Sequence, residues 1–317
     1  MKKINCFDLP ENPDPNCVYT LLPKNPDDEY YRERTDRNIG WITREEQEIL
    51  RKSVVGIAGC GGMGGQLAQI FARLGIGEIR IADCEVFDVS NINRQFAAKR
   101  TTVGKSKAFE TAKAVREITD DFTLVVYSQG ICEETVDDFL SGCDVICDEI
   151  EFWAVGARIL LHQQARKAGI SVFNCNTVGF GTRLFFFTPD SGTMEDCLGL
   201  TYGEAKELQY KIQNKSADKQ EIERVMGSVL NGLVPKVPGY CKPSELKFIL
   251  NRLFTEGKAA IIATNPPMAT GFLCDHVLFY LLRKSSTKRN IVKPPGMPGY
   301  LFFDVGRMEV NIMEQKW

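Results

Sequence analysis

Between residue 53 and about residue 187, short apolar runs alternate with longer stretches whose apolar positions recur at helical spacing. The runs predict strands over 53–58, 78–83, 122–127, 143–148, 171–175 and 182–188, and the stretches between them predict helices over 63–74, 105–117, 134–141 and 153–168. Strands alternating with helices of this length form βαβ units. The fold class is therefore α/β, a doubly wound, Rossmann-like and mostly parallel sheet. Arg183-Leu-Phe-Phe-Phe-Thr188 is the least polar of the runs and reads as a late strand, central or antiparallel.

The pattern differs on either side of this core. Residues 1–33 are rich in Pro, Asn and Asp and predict an irregular arm. A helix start comes next, with Thr43 able to cap and Glu46 three residues on. After the turn Pro189-Asp-Ser-Gly192, residues 203–256 are largely helical, charged and interrupted by Val234-Pro-Lys-Val-Pro-Gly239. An apolar helix over 267–283 and a hairpin over 300–304 and 307–312 close the chain. The expected organisation is an arm (1–33), the α/β core (34–188), a C-terminal helical insertion (189–258), and a final helix with closing antiparallel strands (259–317). The last part completes the same fold.

Composition narrows the class. The 317 residues are 44% hydrophobic and 25% charged, with a formal net charge of −2. That balance argues against a dedicated nucleic-acid surface, which needs a clustered basic excess. No signal peptide is legible at the start, and no apolar run reaches the roughly 18 residues of a membrane span. The 11 cysteines are scattered without a single C-x-x-C pair. They imply a reducing, cytoplasmic setting without disulfides. His162 and His276 are the two histidines, both in predicted helices, so histidine-based catalysis is not expected.

The candidate chemistry begins at Gly59-x-Gly61-Gly62-x-Gly64, where the first core strand turns into a helix. Glycines let the backbone approach a phosphate, and the helix N-terminus offers free N–H groups and a favourable dipole. Asp83, closing the second strand, is placed to accept from ribose hydroxyls. A plain structural turn or a dinucleotide fingerprint would look the same. Two downstream segments do not suit a hydride-transfer enzyme: Ser90-Asn91-Ile-Asn-Arg94-Gln95 and Val103-Gly104-Lys105-Ser106-Lys107. Attack on the α-phosphate of ATP builds up negative charge, and guanidinium and ammonium groups stabilise it. Arg94 and Lys107 are thus candidates to neutralise a triphosphate, with Asn91 and Gln95 as neutral hydrogen-bonders.

Taken together, the glycine motif, Asp83, the S-N-x-x-R-Q signature and the V-G-x-x-K motif resemble the ThiF/MoeB/ubiquitin-activating (E1-like) superfamily in order and spacing. Its members adenylate a carboxylate. The resemblance implies an adenylation domain over 34–188 that uses ATP and Mg²⁺. It also implies a homodimer in which Arg37, from Arg34-Thr-Asp-Arg37-Asn38, reaches the partner's triphosphate in trans. Asp148 matches the first acid of the family's D-x-x-D-N segment, and Glu151 stands where its magnesium-binding aspartate would be. The two C-x-x-C pairs that hold zinc in many relatives are missing, so no zinc is expected. The implied substrate is the free C-terminus of a ubiquitin-like carrier protein or a peptide, with residues 195–258 as lid or docking surface. Some relatives pass the acyl group to a thiol. Cys197 is the first candidate for that nucleophile, though its acidic neighbours would blunt it, and Cys241 the second. The competing readings are a catalytically silent scaffold dimer and an NAD- or FAD-dependent oxidoreductase on the same fold. The related tRNA-modifying dehydratases also adenylate a carboxylate.

Overall fold

A computed structural model describes residues 2–24, 26–236 and 238–315. The chain divides into two compact units: one holds the residues up to Glu149 together with Thr270–Lys293, the other Ile150–Ala269 and the residues from Pro294 on.

The first unit contains β1 (Lys2–Cys6), β2 (Cys17–Leu21), α1 (Asp28–Arg34), α2 (Arg44–Lys52), β3 (Val54–Ala58), α3 (Gly64–Leu74), β4 (Glu78–Ala82), α4 (Lys107–Arg116), β5 (Thr123–Tyr127), α5 (Val136–Leu140) and β6 (Val145–Asp148). Its strands lie in the order β1-β2-β5-β4-β3-β6. β5, β4, β3 and β6 are mutually parallel, as the alternating pattern requires. β3, β5 and β6 are short, nearly continuous apolar runs, because helices cover both faces of such a sheet, while β4 alternates Glu78 and Arg80 with buried Ile79 and Ile81. The stretch read as an irregular arm instead carries β1 and β2. The Cys17-Val-Tyr-Thr-Leu21 run has β-branched and aromatic residues and is almost wholly buried, pairing antiparallel with β5. Its Pro- and Asp-rich flanks mask that signal. α2 begins with the reciprocal Thr43–Glu46 capping box read from the sequence.

The second unit contains α6 (Val155–Lys167), β7 (Val172–Val178), β8 (Gly181–Phe187), α7 (Met194–Leu198), α8 (Tyr202–Gln213), α9 (Lys219–Leu233), α10 (Pro243–Glu256), the first residues of α11 (Asn265–Leu281), β9 (Gly299–Asp304) and β10 (Glu309–Glu314). α11 passes into the first unit at Thr270. β7, β8, β9 and β10 form consecutive antiparallel pairs, so the apolar run around Leu184 is an antiparallel strand. α7, α8 and α9 each start with a capping box, Thr193–Asp196, Thr201–Glu204 and Asp218–Glu221. α6 and α8 pack closely at Gly156, where an added Cβ would meet the Lys206 Cα at 2.9 Å.

None of the 11 cysteines forms a disulfide. Both histidines lie in helices, His162 in α6 and His276 in α11. Among the described residues no helix is long and apolar enough to cross a membrane.

Candidate nucleotide site

In the first unit β3, β4 and β5 run outward in one direction, while β6 lies on the other side of β3. The winding therefore reverses between β3 and β6. Ligands of doubly wound sheets bind outside the carboxyl ends of the strands at such a switch point. The glycine turn leaves β3 at that edge. Asp148, the last residue of β6, pairs in register with Ala58, the last residue of β3.

The turn has a definite architecture. Gly59 adopts φ +101°, a left-handed conformation that suits glycine. Its N–H donates to the Ala82 carbonyl at 2.7 Å, tying the turn to the end of β4. At Gly64, the first residue of α3, a Cβ would sit 1.9 Å from the Gly59 carbonyl oxygen. Only glycine lets the helix start so close beneath the turn. Gly61 faces Gln95, whose Nε2 lies 3.8 Å from where a Cβ would stand. Gln95 is buried, and its Oε1 has no hydrogen-bond partner among the described residues. An orphaned acceptor beside a glycine turn marks a place where a ligand or water completes the bonding.

Asp83 does more than await a ribose. One carboxylate oxygen accepts the Cys60 N–H at 2.7 Å and the other accepts the Glu85 N–H at 2.8 Å. The residue thus clasps the glycine turn to the loop after β4. Each oxygen keeps a second lone pair for a hydroxyl donor. Burial pushes the Asp83 carboxyl above its ordinary value, against the opposing pull of Lys107 and the two amides. Cys60, inside the turn, is fully buried, and burial raises its thiol well above the ordinary range. It packs as a hydrophobe.

The loop after β4 positions the other candidates. Asp88 and Asn91 cap the single turn Val89–Asn91 reciprocally. The Asn91 side chain thereby orders the loop. Arg94 is half-buried and its Nη1 donates to the Ser90 carbonyl at 3.2 Å and to Asn93 Oδ1 at 2.9 Å. Lys107, the first residue of α4, is buried, and its Nζ donates to Glu85 Oε2 at 2.6 Å. Gly59–Gly64, Asp83, Gln95 and Lys107 therefore gather at one edge. Glu85 is the member that sequence reasoning did not single out. Its signal was the acid two residues past Asp83.

The remaining candidates are placed differently. Arg37 is exposed on the turn Asp36–Asn38, in an open hollow with Glu29, Arg32, Glu33, Asp36 and Arg44. Arg34 is a fixture: its Nε donates to Asp121 at 2.8 Å and its Nη1 to the Ala72 carbonyl. Asp148 is fully buried and Glu151, in the second unit, is exposed. Among the described residues no group of three or more His, Cys, Asp or Glu could hold a metal by itself. That donor set suits Mg²⁺ only in its usual mode, one or two carboxylates completed by phosphate oxygens and water. Cys197 lies in α7. It is buried, and its Sγ is 3.4 Å from the Gly232 carbonyl oxygen. Cys241 is half-buried in the segment before α10.

Comparison with known proteins identifies the family and the fold. The ThiF family model matches residues 35–316. Over 149 residues the chain is 29% identical to the adenylyltransferase and sulfurtransferase MOCS3 of Mus musculus, covering 47% of this chain and 32% of that protein. It is 33% identical over 113 residues to the tRNA threonylcarbamoyladenosine dehydratase of Bacillus subtilis, covering 35% and 44% respectively. The matches take in less than half the length of these relatives. E. coli MccB, solved with ATP, superposes with a TM-score of 0.59 at 16% identity, over 93% of this chain and 74% of that one. The same protein has also been solved with MccA. This likeness shows the fold.

Proposed function

The chain belongs to the ThiF family, and from that membership we propose that it is an ATP-dependent adenylyltransferase. It activates a carboxylate as an acyl-adenylate and releases pyrophosphate. The observation that carries the reading is the junction at the switch point, where Asp83 clasps the glycine turn and the buried Lys107 stands at the start of α4, held by Glu85 of the adjoining loop. A hydride-transfer enzyme has no use for that cation. A nucleotide whose α-phosphate is under attack does.

In this reading the backbone N–H groups of Gly59–Gly64 cradle the phosphates, and the spare lone pairs of Asp83 accept from the ribose. Gln95 supplies the amide beside Gly61. Lys107 and Arg94 neutralise the charge that develops as the substrate carboxylate attacks. Asp148 would hold Mg²⁺ together with phosphate oxygens and water. When bound, the ion screens the triphosphate's charge. Arg37, exposed and away from the cluster, would complete the site of a second copy, which makes the protein a homodimer.

The substrate we propose is the C-terminal carboxylate of a ubiquitin-like protein or a peptide. MOCS3, named an adenylyltransferase and sulfurtransferase, and MccB, solved with MccA, support that class. The buried Cys197 is not needed for the adenylate step. The test is exchange of labelled pyrophosphate into ATP, driven by a co-purifying protein or peptide with a free C-terminus. Exchange that depends on that carboxylate supports the reading; NADH or flavin turnover without exchange refutes it.

A further inference from the structure

Glu85 lies outside the glycine motif and outside both downstream signatures, yet it is the residue that holds Lys107. The two are joined twice. The Lys107 N–H donates to the Glu85 carbonyl at 2.9 Å, and the Lys107 Nζ donates to the Glu85 carboxylate at 2.6 Å. Around them, residues 85–87 and 104–107 form a short ribbon. Phe87 N–H donates to Lys105 O at 3.0 Å, Gly104 N–H to Phe87 O at 2.8 Å, and Val86 bridges Ser106 in antiparallel sense. The ribbon fixes the base of the lysine, so its ammonium has a short reach and a defined place.

The pair is asymmetric. The Lys107 side chain is 8% exposed, whereas that of Glu85 is 46% exposed. A nearly buried ammonium left without an anion carries a heavy desolvation penalty, while a half-solvated carboxylate loses little when it lets go. The ammonium also has three protons, and Glu85 takes one of them. Glu85 is thus an anion from which Lys107 can be withdrawn, provided another anion takes its place.

We propose that Glu85 is a phosphate surrogate. It holds Lys107 at the site in the empty protein and surrenders it to the incoming triphosphate. The inference rests on the ATP reading above. A protein whose binding-competent form must first break an internal contact binds its ligand more weakly by the fraction that is competent. Glu85 therefore loosens the site's grip on polyphosphates, and it reclaims Lys107 when pyrophosphate departs. It is a positioning residue acting through Lys107.

The experiment is calorimetric titration of the full chain with Mg·ATP and separately with inorganic pyrophosphate, in the Glu85→Gln, Glu85→Asp, Lys107→Met and Glu85→Gln/Lys107→Met forms. Glutamine keeps the shape of residue 85, and its backbone N–H still reaches Asp83. The expected result is that Glu85→Gln binds both ligands about fivefold more tightly, the scale of a partly exposed ion pair. Glu85→Asp returns toward wild-type affinity, and the tightening disappears in the Lys107→Met background. A merely structural role for Glu85 would weaken binding. Unchanged or weakened affinity in folded Glu85→Gln overturns the proposal. So does equal tightening with and without Lys107, which reduces Glu85 to simple repulsion. If Lys107→Met loses affinity in either of these cases, the ATP reading stands and only the surrogate falls. A wild-type protein that does not bind Mg·ATP brings down both.

Discussion

The Asp83 carboxylate accepts the Cys60 N–H at 2.7 Å across 23 residues of chain. This bond locks the glycine turn after β3 to the end of β4, and the Glu85 N–H on the other oxygen carries the lock into the loop that bears Arg94 and Lys107. One buried acid therefore sets the position of the turn that would hold phosphates and of the cations that would meet them.

Lys107→Ala and Arg94→Ala should each cut substrate-dependent pyrophosphate release by about 100- to 1000-fold, the scale for losing one donor to a developing anion. Among the described residues Arg94 donates to its own loop and Lys107 to Glu85. Far-UV circular dichroism and thermal unfolding should therefore stay close to wild type. Activity surviving in both variants would show that the triphosphate lies elsewhere.

Arg37→Ala and Asp83→Ala should each be inactive alone and regain about a quarter of wild-type activity when mixed. Half the dimers in such a mixture carry one whole site of two. Arg37 is exposed on its turn, as a residue proposed to reach a second copy must be. Mixing that restores nothing would mean that Arg37 acts within its own chain or not at all.

Glu46 gives the fold a predictable acid sensitivity. It is fully buried, closes the capping box of α2 and accepts from both terminal nitrogens of Arg289. The Arg289 guanidinium, foremost among the causes, holds its carboxyl down at about 2, against an ordinary value of 4.5. The folded value is depressed, so the stabilisation is present above the unfolded value and is lost as pH falls from about 4.5 toward 2. Its ceiling is about 3 kcal/mol. Urea midpoints measured across that window should drop steeply for the wild type. Arg289→Leu should be less stable at neutral pH and flatter across the window. Parallel curves would deny the coupling.

Cys197 should behave as packing. With the thiol buried against the Gly232 carbonyl, the folded protein should leave Cys197 unlabelled by a thiol reagent that reacts with the exposed Cys84. Cys197→Ala should lower stability by about 1 kcal/mol and leave adenylate formation intact. Rapid labelling, or loss of that step in a folded variant, would restore the nucleophile reading.

The core was readable because local and long-range demands coincide there. The runs over 53–58, 78–83 and 122–127 became strands within a residue of their expected ends, since the first and last are nearly continuous apolar runs and the middle one alternates Glu78 and Arg80 with the buried Ile79 and Ile81. β2 was not readable: its five residues sit between Pro- and Asp-rich segments, and pairing with β5 on one side and β1 on the other gives them their reason to be extended. Within the site, Gly59 and Asp83 announced themselves by spacing. The dual use of Asp83, its grip on the Cys60 and Glu85 amides, depends on how the two loops meet in space. No spacing rule encodes that. Glu85 stayed hidden for the same reason, 22 residues from the lysine it holds.

The nucleotide assignment is tested most directly by calorimetric titration of the purified chain with Mg·ATP, NAD and FAD, repeated on Asp83→Ala. Saturable binding of Mg·ATP alone, abolished in the variant, is the expected result. Binding of a nicotinamide or flavin cofactor in place of Mg·ATP, lost in the same variant, would contradict it.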